Sequence, residues 1–216
     1  MDIKPADPMK QSSGDTWVRV AAYAAFAVAG VSAAALALTV IYLMGRNDPT
    51  QEQFLSAVQT AHALAVGLAW GLLFPVAVGL YRLDTPSTMT SKLGLVLAGF
   101  GGAAATLGTL VYVAGVGGAD FLAPYDFEAG EMAVGIWLFL ANRDLQRRGV
   151  LSRGLAQVGM LFGIAAAITV IALWLNQRYL NGGLFVIAGF LVWPTWLGVV
   201  LLRRVPVAEA RSALES

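Results

Sequence analysis

"FEAGEMAVGIWLFLANR", residues 127–143, decides how many times this chain crosses a membrane. The run is apolar enough to be a span, yet it carries a carboxylate, Glu131, and follows an acidic approach. From Met132 to Asn142 the helix would rise by roughly 16 Å. If Asn142 marks the inner boundary, the helix must begin about nine residues before Glu131 to cover about 30 Å of hydrocarbon. Glu131 then lies near the middle of the bilayer or in its outer half. Glu128, Glu131, Gly135, Leu138 and Asn142 follow a 3-4-3-4 spacing and line one helix face. That face is expected to look at other helices or at a water-filled funnel, because an uncompensated carboxylate toward lipid costs several kcal/mol. The alternative is a short span in a thinned bilayer, with Glu131 an ordinary solvated acid in the outer mouth.

The rest of the chain is read outward from this segment. Of its 216 residues 58% are hydrophobic and 12% charged, whereas a soluble domain carries about 25% charge. Six segments have a length suited to a membrane helix: 17–44, 54–81, 93–116, 123–142, 155–175 and 184–202. None has the short alternating pattern of a membrane barrel strand. The expectation is an all-α polytopic protein, a six-transmembrane-helix bundle occupying 17–204 as one domain. Residues 1–16 and 205–216 would form cytoplasmic tails.

Basic residues set the orientation. Twelve of the fourteen Lys and Arg residues fall on one side, and only Arg46 and Arg178 on the other, with Asp48, Glu52, Asp120, Asp126, Glu128 and Glu131. Both termini are therefore expected in the cytoplasm. The net charge of +1 hides this asymmetry, which is a topology signal and implies no nucleic-acid partner. The first apolar segment is too long for a secretory signal, whose apolar core runs about 7–15 residues. With no cysteine and one histidine, the chain offers no disulfide, thiolate nucleophile, cysteine-ligated metal or bis-histidine haem. Its lysines all lie at or beyond the cytoplasmic edge, so no retinal-type Schiff base is expected. No catalytic, metal or cofactor-binding motif is present.

Small residues recur every fourth position in three spans: Ala21 to Ala37, Gly94 to Thr106, and Gly159 to Ala167. They are expected to let backbones approach where no hydrophobic effect drives helices together. That contact is read as packing within the chain, with a homo-oligomer or a membrane partner subunit as the alternative. Spans two and six each hold a proline, Pro75 and Pro194, expected to kink them. The surrounding "LLFPVAVG" (72–79) and "LVWPTWLG" (191–198) are alike. Trp70, Phe74, Trp193 and Trp196 lie near these prolines. They are either bulky core residues or the lining of a cavity for a flat apolar or lipid-like ligand. His62, near the outer interface, is either a water-partnered histidine or a proton relay placed about 10 Å above Glu131. Thr106, Thr109, Thr169 and Thr195 are expected to bond between helices.

The stretch "IWLFLANRDLQRRGVLSRGLAQVGMLFGIAAA" (136–167), followed by "GFLVWPTWLGVVLLRR" (189–204), resembles the C-terminal half of a family of small, uncharacterised multi-pass bacterial membrane proteins. In that family a basic R-x-G-x-L-x-R loop joins two spans, and the last span ends in a Trp-Gly-Leu-Arg-like run. The resemblance implies six spans in a bacterial inner membrane and carries no catalytic residue. The functional expectation is an inner-membrane protein that binds a small apolar or lipid-like molecule or serves as an accessory subunit, not an enzyme. The alternative is a proton-coupled small transporter or channel using Glu131, with His62 and Glu128 as relay groups.

Overall fold

A computed structural model describes residues 8–83, 88–115, 123–174 and 189–204 of the chain. They form helices α1 (Pro8–Gly45), α2 (Glu52–Leu83), α3 (Met89–Val113), α4 (Ala123–Arg147) and α5 (Arg153–Trp174). A sixth helix, α6, occupies 189–204. The all-helical expectation holds. Among the described residues four helices are long and apolar enough to cross a membrane: α2, α3, and the segments Thr16–Gly45 of α1 and Arg153–Ala172 of α5. The helix of α4 runs on through Arg143, Asp144 and Arg147, so it carries charge at both ends. The first helix starts at Pro8, inside the region read as a tail, and proline suits a first turn because its missing N–H has no partner there. The calls that fall on Lys4, 116, Asp120, 175, Arg178, 184–188 and 205–216 lie outside the described residues, as do the side chains of Lys10 and Asp126.

Local signals explain the helix ends. Asp48 caps a single 3-10 turn, Pro49–Gln51, that leads into α2. Its Oδ1 accepts from the Thr50 N–H (2.9 Å) and the Thr50 hydroxyl (2.6 Å), and its Oδ2 from Gln51 Nε2 (3.0 Å). These donors favour the charged form and hold the Asp48 carboxyl below its usual range. Thr88 caps α3, accepting from the Ser91 N–H (3.1 Å), while its own hydroxyl donates to Asp144 Oδ2 (3.3 Å) at the end of α4. That end closes on Gly149, φ +71°. The Val150 N–H returns to the Leu145 carbonyl (2.9 Å) and the Gly149 N–H to Gln146 (3.0 Å), a pairing that satisfies carbonyls the helix leaves open.

Each helix packs antiparallel on the next. Gly79 of α2 meets Ala21 of α1, Gly102 of α3 faces the Trp70 carbonyl of α2, and Gly94 of α3 faces Trp137 of α4. The series closes through α6, which touches α5 at Gly189–Phe162 and Gly154–Trp196, and α1 at Gly198–Phe26. Arg204 donates to the Val150 carbonyl beside the α4–α5 turn. The result brings Arg19, Arg82, Lys92, Arg143, Arg147, Arg148, Arg153, Arg203 and Arg204 to one end of the bundle, all exposed.

Two crossings on α4 are backbone against backbone. A methyl on Gly101 would come 2.7 Å from the Gly130 carbonyl oxygen, and one on Gly130 would come 2.7 Å from that of Gly101. On the other side, a methyl on Gly135 would lie 2.8 Å from the Gly163 carbonyl oxygen, and one on Gly163 would overlap that of Gly135. The α5 stripe therefore packs on α4 through Gly159 and Gly163, whereas the α3 stripe divides, Gly94 meeting α4 and Gly102 and Thr106 meeting α2; Gly101, outside that stripe, makes the tightest approach to α4. The threonines differ from expectation. Thr109, Thr169 and Thr195 donate to carbonyls four residues back in their own helices, the nearest acceptor a helical hydroxyl meets. Thr106 does bridge, reaching Gly67 O (3.0 Å) as well as Gly102 O (2.7 Å).

Candidate functional site

Glu131 sits on α4 one residue beyond Gly130 and four before Gly135, so both glycine crossings bracket it. Its side chain is 5% exposed. Helical spacing puts it on the face that also carries Leu138 and Asn142, both fully buried. Among the described residues no hydrogen bond or ion pair reaches its carboxylate. Glu128, half-buried one turn earlier, is the charged neighbour whose field it feels. The acid therefore lies inside the bundle and not on its outer surface.

Below Glu131 the same face meets α6. Asn142 Oδ1 accepts from the Trp193 indole N–H (3.1 Å), and Asn142 Nδ2 donates to the Leu138 carbonyl (2.8 Å). Gly159 of α5 leaves the room that the Asn142 amide occupies. The Trp193 ring stands edge-on to Trp137 at 6.4 Å. Higher up, Trp70 of α2 meets Phe190 edge-on at 4.7 Å, and Phe190 meets Phe162 of α5 at 4.7 Å. This network was not legible in the sequence. In the sequence Asn142 marks the inner boundary of a span and the end of a polar stripe, and Phe162 and Phe190 are two aromatics among many.

The structure divides the four aromatic candidates. Trp70 (2% exposed) and Trp193 (0%) are buried in edge-to-face contacts, while Phe74 (45%) and Trp196 (41%) face outward. Phe74 lies on Gly99 and Trp196 on Gly154. The two similar proline segments thus aim their aromatics differently: Phe74 before Pro75 points out, Trp193 before Pro194 points in. Both prolines lie within unbroken helix.

His62 is on the inner face of α2, in register with Leu55, Val58, Ala69 and Leu73, which are buried. Its Nε2 is buried without a hydrogen-bond partner among the described residues. Gly102 lies against Trp70 and Gly101 against Gly130, so Glu131 is level with residues 70–71 of α2. His62 is then about 13 Å further toward the other end. No described hydrogen bond joins His62 to Glu131. Among the described residues no three His, Asp or Glu side chains gather to hold a metal ion.

A narrow cleft opens at the basic end between α2, α3 and α4. Ala77, Leu80 and Tyr81 line one wall, Thr90, Ser91, Gly94 and Leu95 a second, and Trp137, Ala141, Asp144 and Leu145 the third. Its enclosed part holds about one water molecule. Asp144 at the mouth pairs with Arg148 (3.3 Å).

No family model, curated protein or solved structure matches this chain.

Proposed function

We propose that this chain is a six-span, multi-pass protein of a bacterial inner membrane, with both termini in the cytoplasm, that passes protons through a site centred on Glu131. One observation carries the reading: an acid 5% exposed, about a third of the way along a helix gripped on both sides by glycine crossings. Packing alone does not call for it, since an apolar side chain would fill the same place without the cost of desolvating a carboxylate. Acids that persist inside membrane bundles pair with something or exchange protons. Glu128 and His62, both on the outer side of Glu131, supply polar groups toward that face. The helices α4 and α6 complete six spans because each is enclosed by helices that are themselves apolar enough to span.

Orientation is tested in the natural cysteine-free background. A cysteine at exposed Ser152 should stay unlabelled by an impermeant thiol reagent in intact cells, and one at exposed Asn47 should react. The reverse pattern would invert the topology that the basic end implies. Function is tested in proteoliposomes carrying a pH-sensitive dye under an imposed pH gradient. Wild type should dissipate the gradient, and Glu131→Gln, which keeps size and hydrogen bonding, should reduce the flux to that of empty vesicles. Equal flux from both proteins, or none from wild type, removes the proton reading.

A second reading has its own observation. Phe74 and Trp196 each lay a ring on a glycine shelf at the bundle surface, which suits a lipid-like molecule or the helix of a partner subunit. Mass spectrometry of co-purified lipids and proteins, repeated on Phe74→Ala and Trp196→Ala, separates this reading from the first. Retention that depends on either ring supports it.

A further inference from the structure

The cleft at the basic end and the buried acid belong to the same helix, with one side chain between them. Trp137 forms the inner end of the cleft, Ala141 lies one turn toward the mouth, and Glu131 lies six residues beyond Trp137, about 9 Å of rise. We infer that the cleft is the cytoplasmic half of a water path to Glu131 and that Trp137 is its gate. The inference rests on the proton reading of Glu131 given above.

The lining is mostly apolar, with a few polar groups that a water can bond. The Tyr81, Thr90 and Ser91 side chains bring hydroxyls to the walls, and Asp144 brings a carboxylate already tied to Arg148 and Thr88. A hydroxyl both donates and accepts, so a water between these groups keeps its hydrogen bonds. The enclosed part has room for about one such water. A hydronium in the cleft hands a proton to a neighbouring water, and the last water gives it to a Glu131 oxygen. One O–H bond forms there as one breaks on the donor, which is left as neutral water. Release toward the other side reverses the step, onto a water beyond Glu131.

Trp137 is placed to interrupt this chain. It is 2% exposed, bounded by Trp193 edge-on at 6.4 Å and by Gly94. A methyl at Gly94 would already come 3.2 Å from Trp137 Cδ1, so the indole lies across a helix surface kept bare for it. With the indole in this position, Val134, one turn beyond, is fully buried. Swinging the indole off Gly94 would extend the cleft along α4 as far as Val134, the last side chain before Glu131. The charged groups around the route are Asp144 and Arg148 at the mouth and Glu128 beyond the acid.

Hydroxyl-radical footprinting by water radiolysis reads water contact directly and does not depend on transport. The full-length protein in lipid nanodiscs is used, with Val134→Cys as a sulfur reporter in the cysteine-free chain. Oxidation of Trp137 and Tyr81 is expected with Trp137 in place, and none at the reporter. Adding Trp137→Ala should turn on oxidation at the reporter, and Ala141→Leu should abolish it at Trp137. In proteoliposomes Trp137→Ala should raise the flux, and Glu131→Gln should remove the increase. Three results overturn the inference: an unoxidised Trp137 in wild type, a reporter oxidised while Trp137 is present, or a reporter still silent after Trp137→Ala. Correct footprints without any flux would leave the gate standing and remove the proton reading instead.

Discussion

Trp193→Leu should lower the unfolding free energy by up to about 3–5 kcal/mol, the loss that follows truncation of a buried Trp as far as Ala. The indole is fully buried, holds Asn142 Oδ1 at 3.1 Å and stands against Trp137. Without it, the Asn142 oxygen stays inside the bundle unsatisfied, which adds about 1–3 kcal/mol to the cavity cost. Asn142→Leu alone leaves the buried Trp193 N–H without its acceptor, whereas the double variant removes donor and acceptor together and so should cost less than the two single losses predict. A double-mutant cycle on Trp193→Leu and Asn142→Leu, followed by chemical unfolding in detergent, should give a coupling of about 0.5–3 kcal/mol. Trp196→Leu is the control. Its ring is 41% exposed, so its loss exchanges contact with lipid for contact with lipid and should leave stability within about 0.5 kcal/mol. Equal effects at Trp193 and Trp196 would mean that α6 is not anchored through Asn142.

Gly163→Val should separate α5 from α4 and abolish any Glu131-dependent flux while the helices themselves persist. The new side chain would overlap the Gly135 carbonyl oxygen and crowd the Phe139 N–H. Backbone cannot yield as the end of a flexible side chain does, so the cost exceeds the usual 1–3 kcal/mol or so of overpacking. In lipid no hydrophobic effect compensates for a lost helix contact, because the acyl chains solvate an exposed apolar face equally well. Circular dichroism should stay near wild type, and unfolding should come at lower denaturant. Gly30→Ala in α1 is the matching control, since a methyl there meets nothing within 4 Å. It should be neutral or slightly stabilising, because alanine is the better helix former. A Gly163→Val protein as stable as wild type would show that the α4–α5 crossing does not hold the bundle together.

Much of the architecture follows from the chain alone, for a simple physical reason. A membrane forces every backbone group into a helical bond, so apolar length is nearly sufficient to place a helix. Glu52–Leu83, Met89–Val113 and Arg153–Trp174 lie within a few residues of the segments read from hydrophobicity. The 3-4-3-4 spacing of Glu131 and Asn142 likewise put them on one face before any packing was known, and that face is buried. The charge asymmetry along the chain gathers at one end of the bundle for the same reason: antiparallel neighbours alternate their ends.

Which partner each buried face meets was a different matter. Hydropathy cannot separate a face turned to lipid from one turned to another helix, since both environments are apolar. Phe74 and Trp193 precede prolines in nearly identical stretches, yet one ring faces outward and the other is fully buried. Trp70 is joined to Phe190 and Phe162 by contacts between residues far apart in sequence, and Asn142 to Trp193 by a bond spanning 51 positions. The glycines of α4 matter through the partners opposite them, Gly101 and Gly163. The chain by itself determined the helices, their polar face and the basic end. Only the tertiary structure decided which glycines cross, which aromatics interlock and where a cleft opens, because those depend on close approach between surfaces that the same lipid-compatible residues build everywhere.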